Sequence, residues 1–391
     1  MSALPILPGA TLGVMGGGQL GRMFVHAAQR LGYATAVLDP DADSPAGRVS
    51  HHHVRAGYLD ATGLAQLADC CAAITTEFEN VPAAALETLG RRRPVAPAAQ
   101  AVAIAQDRIE EKAHFARCGV ACAPYAVIAS REQLDAVTAA LLPGILKSAR
   151  LGYDGKGQQR PLDRAALAQA WDALGGVPCV LEQLLPLAAE CSVVVARGAD
   201  GQMVHLPPQR NVHRGGILAL TEVYEGNMPA ALAQRAVSAT KSIAEGLQYV
   251  GVLCVEFFVL ADGALVVNEM APRPHNSGHW SMDGCDVSQF ELQVRTLAGL
   301  PLVAPRQHSP SLMLNLLGDL WFRSGEAAVT PPWAALLALP GSHLHLYGKS
   351  EARRGRKMGH LTLTGASIDA VRGTARQACE LLGIAAFAEL G

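Results

Sequence analysis

One short stretch, Val255 to Gly278, collects carboxylates, an amide and a cationic tail: VEFFVLADGALVVNEMAPRPHNSG. Asp262-Gly263 lies between two apolar runs rich in Val and Phe, the pattern of a tight β-hairpin. Counting outward from a two-residue turn brings Glu256 directly opposite Glu269. Like charges opposed on a sheet repel. A divalent cation between them converts repulsion into coordination, and Mg²⁺ is commonly held by one or two carboxylates together with substrate phosphates. Asn268 adds an amide, and Arg273, His275 and Asn276 follow at once. The bland alternative is a solvated hairpin edge with two unrelated acids.

Phosphate chemistry is also suggested upstream. Ile145 to Ser148 reads as a short strand carrying Lys147, followed by Gly152-Tyr153-Asp154-Gly155-Lys156-Gly157-Gln158. Glycines around a lysine describe a loop able to fold over phosphates with N–H donors and a positive charge. The Walker spacing is absent. Against this stand a strand-end lysine that reaches water along its stem and a plain flexible turn. Glu182 to Leu185 leaves a strand and could offer main-chain groups to a purine edge. Glu190, at a strand start, could accept the hydroxyls of a ribose. His213 lies in a segment, Arg210 to Arg214, that reads as a basic loop. Each of these also has an ordinary structural explanation.

The elements that must hold these groups begin with a βα rhythm. Strand Thr11 to Met15 runs into Gly16-Gly17-Gly18-Gln19-Leu20-Gly21, a helix to Leu31, and a strand Thr35 to Leu38 ending at Asp39. Taken literally this is a dinucleotide fingerprint. A glycine turn at a helix start also cradles other small ligands, or serves packing alone. Asp60 caps a helix, Ala73 to Thr76 is a strand, and Glu77 and Glu79 sit at its carboxyl end, where open parallel sheets place ligands. His51, His52 and His53 cannot all face one ion, because strand side chains alternate; they read as surface residues. Helices Ala98 to Ala105 and Asp107 to Cys118, the latter carrying Arg108, lead to strand Tyr125 to Ile128. A helix near Ala230 to Leu247 returns the chain to the acidic hairpin. A smaller unit follows from Leu302, with strand His343 to Tyr347, Gly348-Lys349, and the basic residues Arg353, Arg354, Arg356 and Lys357.

At 391 residues the chain should hold two or three domains. Half of it is hydrophobic, and a net charge of −2 gives no field for nucleic acid. Nine cysteines without CxxC pairs fit reduced thiols in a cytoplasm. No signal peptide or bilayer-length apolar run is evident, so no membrane is expected. Only six residues are lysine, against 26 arginines, and four of the six (Lys147, Lys156, Lys349, Lys357) lie in or beside glycine-containing loops. Those lysines are expected to do something arginine does less well.

In order and spacing, Lys147, the loop YDGKGQ, the segment EQLL, Glu190 and the pair Glu256 with Asn268-Glu269 resemble the ATP-grasp ligases. The opening GGGQLGRM, then QDRIEEK, MAPRPHNSGHW and GKSEARRGRKMGH, narrow the resemblance to the branch that carboxylates 5-aminoimidazole ribonucleotide to 5-(carboxyamino)imidazole ribonucleotide in de novo purine (IMP) synthesis. The resemblance spans nearly the whole chain. It implies mixed α/β and α+β architecture: a Rossmann-like pre-ATP-grasp domain (1–106), an ATP-grasp domain of two α+β halves clasping ATP (107–302), and a small C-terminal α/β domain (303–391). It implies ATP held by Arg108, Lys147, Tyr153, Asp154, Gly155, Lys156, Gly157, Gln158, Gln159, Glu182, Gln183, Leu184, Leu185, Glu190, His213, Asn268 and Glu269. Mg²⁺, or Mn²⁺ in its place, would bind Glu256 and Glu269. The ribonucleotide would lie near Gln19, Leu20, Glu77, Tyr153 and Asp154, its phosphate on Lys349 and Arg356. Bicarbonate, and the carboxyphosphate made from it, would meet Arg273, His275 and Asn276, with Lys147 assisting the transfer. A cytoplasmic homodimer is expected, with no nucleic-acid or membrane partner. Alternatives are another ATP-grasp ligase, such as a formate-using glycinamide ribonucleotide transformylase, a nicotinamide dehydrogenase using Gly16 to Gly21, and a non-catalytic nucleotide-binding module.

Overall fold

The computed structural model describes residues 4–152, 157–323 and 325–391. Three sheets organise the chain. The first is fully parallel, in the order His52–Val54, Ala34–Leu38, Thr11–Met15, Ala73–Thr76. Strands Thr11–Met15 and Ala34–Leu38 read as apolar runs because helices cover both faces, while the edge strand His52–Val54 carries polar, more exposed residues. The second is a small antiparallel sheet: Tyr125–Ile128, Cys179–Gln183, Gly144–Ser148 and Gln158–Gln159. The third is long and antiparallel. It runs from Leu265–Ala271 through Gly251–Leu260, Leu187–Arg197, Gln209–Arg214 and Ile217–Val223 to Ser311–Leu317, Lys357–Thr364 and Ser342–Leu346. Leu220 pairs with Leu314, so strands late in the chain continue the sheet begun near residue 187.

Local signals account for several element ends. Asp60 accepts from Gly63 N at 2.8 Å and caps Ala61–Cys70. Ser130 caps Arg131–Asp135 by accepting from Gln133 N, and Gln133 Oε1 reaches back past the cap to accept from Ala129 N, a variant of the capping box.

The acidic hairpin differs from the simple expectation in two places. Its turn is three residues long, not two. Leu260 N donates to Ala264 O at 2.8 Å, Gly263 N donates to Leu260 O at 2.9 Å, and Gly263 takes φ +82°. Asp262 Oδ1 accepts from Ala264 N and stabilises this longer loop. Pairs near the turn are therefore one residue off the expected register, with Phe257 opposite Val267. A bulge at Asn268 then restores it, and Glu256 faces Glu269 after all.

The segment Arg210 to Arg214 is also not a loop. It lies in strand Gln209–Arg214, paired with both Leu187–Arg197 and Ile217–Val223. Its polar composition hid the strand, because its inward-facing side chains, Gln209 and Asn211, are buried amides rather than hydrophobes.

The glycine turn after Thr11–Met15 has its N–H groups occupied by the protein itself. Glu77 accepts from Gly18 N at 2.9 Å and Gly21 N at 3.2 Å, and Asp39 accepts from Gly17 N at 2.7 Å and Tyr58 OH at 2.6 Å. A Cβ on Gly18 would stand 2.5 Å from Glu77 Oε1. Gly18→Ala should expel that buried carboxylate from the helix start and cost about 1–3 kcal/mol, read as a lower urea midpoint at unchanged m-value. An unchanged midpoint would contradict the capping role.

Candidate active site

The site lies where the small antiparallel sheet faces the acidic hairpin. Lys147 projects from Gly144–Ser148, and its Nζ is 3.0 Å from Glu182 Oε2 and 3.4 Å from Asn268 Oδ1. Lys112 Nζ is 2.9 Å from the other oxygen, Glu182 Oε1. All three are buried, with side-chain exposures of 1% for Lys112, 4% for Glu182 and 8% for Lys147. Burial alone would raise the Glu182 carboxyl, but Lys147 and then Lys112 outweigh it and hold it below its ordinary range. Two lysines on one carboxylate leave a net positive charge buried beside Asn268. The Glu182 side chain is thus committed to the two lysines, with Gln183 N bonded to Pro124 O and Leu184 N to Pro143 O.

Arg108 opens helix Arg108–Arg117 and ties the glycine loop to the hairpin. Its guanidinium donates to Ser148 O at 3.0 Å and Gly152 O at 3.2 Å, and lies 3.9 Å from Glu269 Oε2. Gly157 closes that loop at φ +70°, and Gln158 and Gln159 pair back onto Lys147 and Leu146. The expected contacts at Tyr153, Asp154, Gly155 and Lys156 lie outside the described residues.

The opposed acids have unlike surroundings. Glu256 Oε1 is 2.8 Å from His275 Nε2. Burial pushes the Glu256 carboxyl up, but His275 reverses this and brings it to about 2. Glu269 is 45% exposed in its side chain and is held above its ordinary range by burial and by the Glu256 charge. Burial opposes the His275 cation, yet Cys254 and Glu256 lift it to about 10. Glu190 Oε2 and His213 Nδ1 form a second acid–imidazole pair at 2.5 Å.

Arg273 is locked by Glu79, Nε to Oε2 at 2.5 Å, and by its own donation to Pro274 O. Gln289 clamps the next residue from both sides: His275 N donates to Gln289 Oε1 at 2.9 Å, and Gln289 Nε2 to His275 O at 2.8 Å. Asn276 is buried, and its amide N and O have no protein hydrogen-bond partner among the described residues. Gln19 opens helix Gln19–Arg30, and Leu20 packs with Met23, Phe290 and Tyr347. Among the basic residues of the late loop, Lys349 Nζ donates to Lys357 O at 2.6 Å and Arg356 to Glu351 O at 2.9 Å. Arg353 pairs with Glu351, and Arg354 lies over the Phe322 ring.

Sequence reasoning did not single out Lys112 or Gln289 as site residues, and it placed Glu79 beside a ligand without its pairing to Arg273. Arg108 and Lys112 stand four apart and so share a helix face, a signal that was present in QDRIEEK. Gln289 is distant in sequence and had no local signal.

Comparison with known proteins gives the geometry its context. Residues 113–290 match the ATP-grasp domain, 9–106 the ribonucleotide synthetase preATP-grasp domain, and 311–374 the phosphoribosylaminoimidazole carboxylase C-terminal domain. The chain is an ATP-grasp ligase. A Brucella melitensis N5-carboxyaminoimidazole ribonucleotide synthase is 44% identical over 93% of this chain and 98% of its own. The Staphylococcus aureus N5-carboxyaminoimidazole synthetase solved with ADP superposes at TM-score 0.88, with 35% identity over 97% of this chain and 99% of that one. The Aspergillus clavatus synthase solved with ADP and 5-aminoimidazole ribonucleotide superposes at 0.86, with 30% identity over 96% and 98%. The chain belongs to the N5-carboxyaminoimidazole ribonucleotide synthase family.

The Glu79–Arg273 pair makes an acid-stability prediction. Burial would raise the Glu79 carboxyl, but Arg273 brings it from 4.5 to about 2. A carboxyl depressed on folding stabilises above its unfolded pKa and loses that contribution as pH falls through the folded value. Unfolding midpoints of the wild type should therefore fall between pH 4.5 and about 2. Glu79→Gln should be less stable at neutral pH and flatter across that window. Parallel pH curves would contradict the pairing.

Proposed function

We propose that the protein uses ATP and bicarbonate to carboxylate the exocyclic amine of 5-aminoimidazole ribonucleotide, releasing ADP and phosphate, as a cytoplasmic homodimer in de novo purine synthesis. The observation that carries this reading is the register of the hairpin, which sets Glu256 against Glu269 beside Asn268, within reach of Lys147 and Arg108. No helix among the described residues is long and apolar enough to cross a membrane. The three matched segments support division into 1–106, 107–302 and 303–391.

Bicarbonate is a poor electrophile. Transfer of the γ-phosphoryl group of ATP to one of its oxygens gives carboxyphosphate and ADP. The amine of the ribonucleotide then attacks the carboxyl carbon, a C–N bond forms, inorganic phosphate leaves, and the nitrogen loses a proton. Phosphoryl transfer needs positioning and charge neutralisation more than covalent help. Lys147 supplies a fixed positive charge, since Glu182 holds its ammonium from below. Arg108 supplies a second charge at the base of the glycine loop. Glu190 and His213 suit the ribose of ATP, and of the chain from Gln183 to Leu185, whose first two N–H groups are taken by Pro124 and Pro143, the main chain at Leu185 suits its base. Tyr153 to Lys156, with Gly157 to Gln159, would cover the phosphates.

The donor set at the hairpin fits a hard cation. Two carboxylates and an amide oxygen are the ligands Mg²⁺ selects, and the Glu269 carboxyl is raised by burial and then by the Glu256 charge, a repulsion such a cation would relieve. Glu256 and Glu269 would hold Mg²⁺, or Mn²⁺, which would supply charge neutralisation on the phosphates. Arg273 presents a fork suited to an oxyanion. His275 and the unpartnered Asn276 amide stand beside it for bicarbonate. Gln19, Leu20 and Glu77 lie at the start of the first helix, and Lys349 with Arg356 suits the substrate phosphate.

ADP release should require bicarbonate, Mg²⁺ and the ribonucleotide together, and formate should not replace bicarbonate. Glu269→Gln should remain folded and lose at least ~100-fold in kcat, the scale of removing one preorganised electrostatic contact. Turnover with formate, or normal turnover in Glu269→Gln, would refute the proposal.

A further inference from the structure

Beneath His275 a row of fully buried polar side chains crosses the large sheet. Ser192 stands on Leu187–Arg197, Gln209 and Asn211 on Gln209–Arg214, Thr221 on Ile217–Val223, and Ser277 just after His275. None of them reaches the cleft in the mechanism above. Burying five polar groups is costly unless every one is satisfied, and here the partners can be counted proton by proton.

Gln209 Nε2 donates to Pro207 O. A flipped amide would set two oxygens together there, so Gln209 Oε1 must face Ser192, 3.0 Å away. Ser192 Oγ also lies 2.8 Å from Ser277 Oγ, and Ser277 Oγ lies 2.9 Å from His275 Nδ1. These are three contacts in series, and each needs one proton between its atoms. Ser192 and Ser277 carry one hydroxyl proton each. Gln209 Oε1 carries none. The third proton can come only from His275 Nδ1. The directions are then fixed: Ser192 donates to Gln209, Ser277 donates to Ser192, and His275 Nδ1–H donates to Ser277. Asn211 agrees, because its Nδ2 donates to Ser192 at 2.9 Å while its Oδ1 accepts from Thr221 at 3.0 Å.

One contact competes. Ser277 N–H lies 3.3 Å from Nδ1 and could donate to it only if Nδ1 were bare. That contact is the longer of the two, and a bare Nδ1 would leave one of the three shorter contacts facing lone pair to lone pair. Cys254 Sγ, 3.9 Å from Ser277 Oγ, is a weak neighbour that leaves the count unchanged.

We infer that this hydroxyl chain, by accepting from His275 Nδ1–H, fixes the orientation of the ring, so that Nε2 is the nitrogen presented to Glu256 and the cleft. Ser277 and Ser192 are then positioning residues for the bicarbonate subsite, acting through the His275 ring. The inference rests on the proposed carboxylation for its functional meaning, while the hydrogen-bond count stands without it.

Ser277→Thr and Ser277→Val test it as a pair, since they match in size and differ only in the hydroxyl. Thr should keep near wild-type kinetics. Val should lose about 10–100-fold in kcat/KM for bicarbonate, the usual scale for removing a partner that orients a functional imidazole. The KM for ATP and the thermal midpoint relative to Thr should stay unchanged. Ser192→Ala should act similarly, because Ser277 then loses the acceptor that holds its hydroxyl turned away from the His275 ring. Combined with Ser277→Val it should add nothing, since both act through one ring. In the full-length protein labelled with ¹⁵N-histidine, a slowly exchanging Nδ1–H resonance of His275 should be present in the wild type and Thr variant and absent in Val. Equal kinetics for Thr and Val, multiplicative losses in the double variant, or persistence of that resonance in Val would each overturn the inference. A wild type that consumes no bicarbonate would instead sink the proposed function, while the resonance would still report on the hydroxyl chain.

Discussion

Repulsion between two carboxylates is the constraint around which this cleft is built. Glu256 and Glu269 are set opposite one another by backbone pairing, so the register of the sheet itself brings the two acids together. The protein tempers the repulsion from one side only, by giving Glu256 the His275 ring and leaving Glu269 toward the cleft with a distant Arg108. The result is one acid held below its ordinary range and one held above it. A cation that binds both gains from relieving their repulsion, and its phosphate-bearing partner is met by charges already in place.

Those charges are kept in place at some expense. Lys112 and Lys147 share Glu182 out of water, an arrangement whose desolvation cost is large and whose merit lies in fixing geometry rather than in stability. Glu79 does the same for Arg273, and Gln289 for the backbone of His275. In each case a buried partner restricts a flexible side chain or loop to a single orientation, which is what preorganised electrostatics require.

Much of this was legible in the residues. Period-two patterning, the Asp-Gly turn and the capping residues located most elements, and the opposed acids followed from counting along the hairpin. That count succeeded through two compensating features, a turn one residue longer than supposed and a bulge at Asn268 that restored the register. Neither is visible in composition. The strand Gln209–Arg214 was hidden because its buried face is made of amides satisfied by a serine on the neighbouring strand. The glycine turn was ambiguous because the sequence shows donors but not who accepts from them; Glu77 and Asp39 do. Lys112, Glu79 and Gln289 act on residues far away in the chain, and such pairings exist only once the sheets have assembled.

The central claim is that the hairpin acids jointly hold the cation that accompanies ATP. Crystals grown with ADP and Mn²⁺ test it directly, because Mn²⁺ can be located by its anomalous scattering. A peak bridging the Glu256 and Glu269 carboxylates, with the nucleotide phosphates on its far side near Lys147, is the predicted result. A peak elsewhere, or a nucleotide seated against the Gly16 to Gly21 turn, would contradict the account.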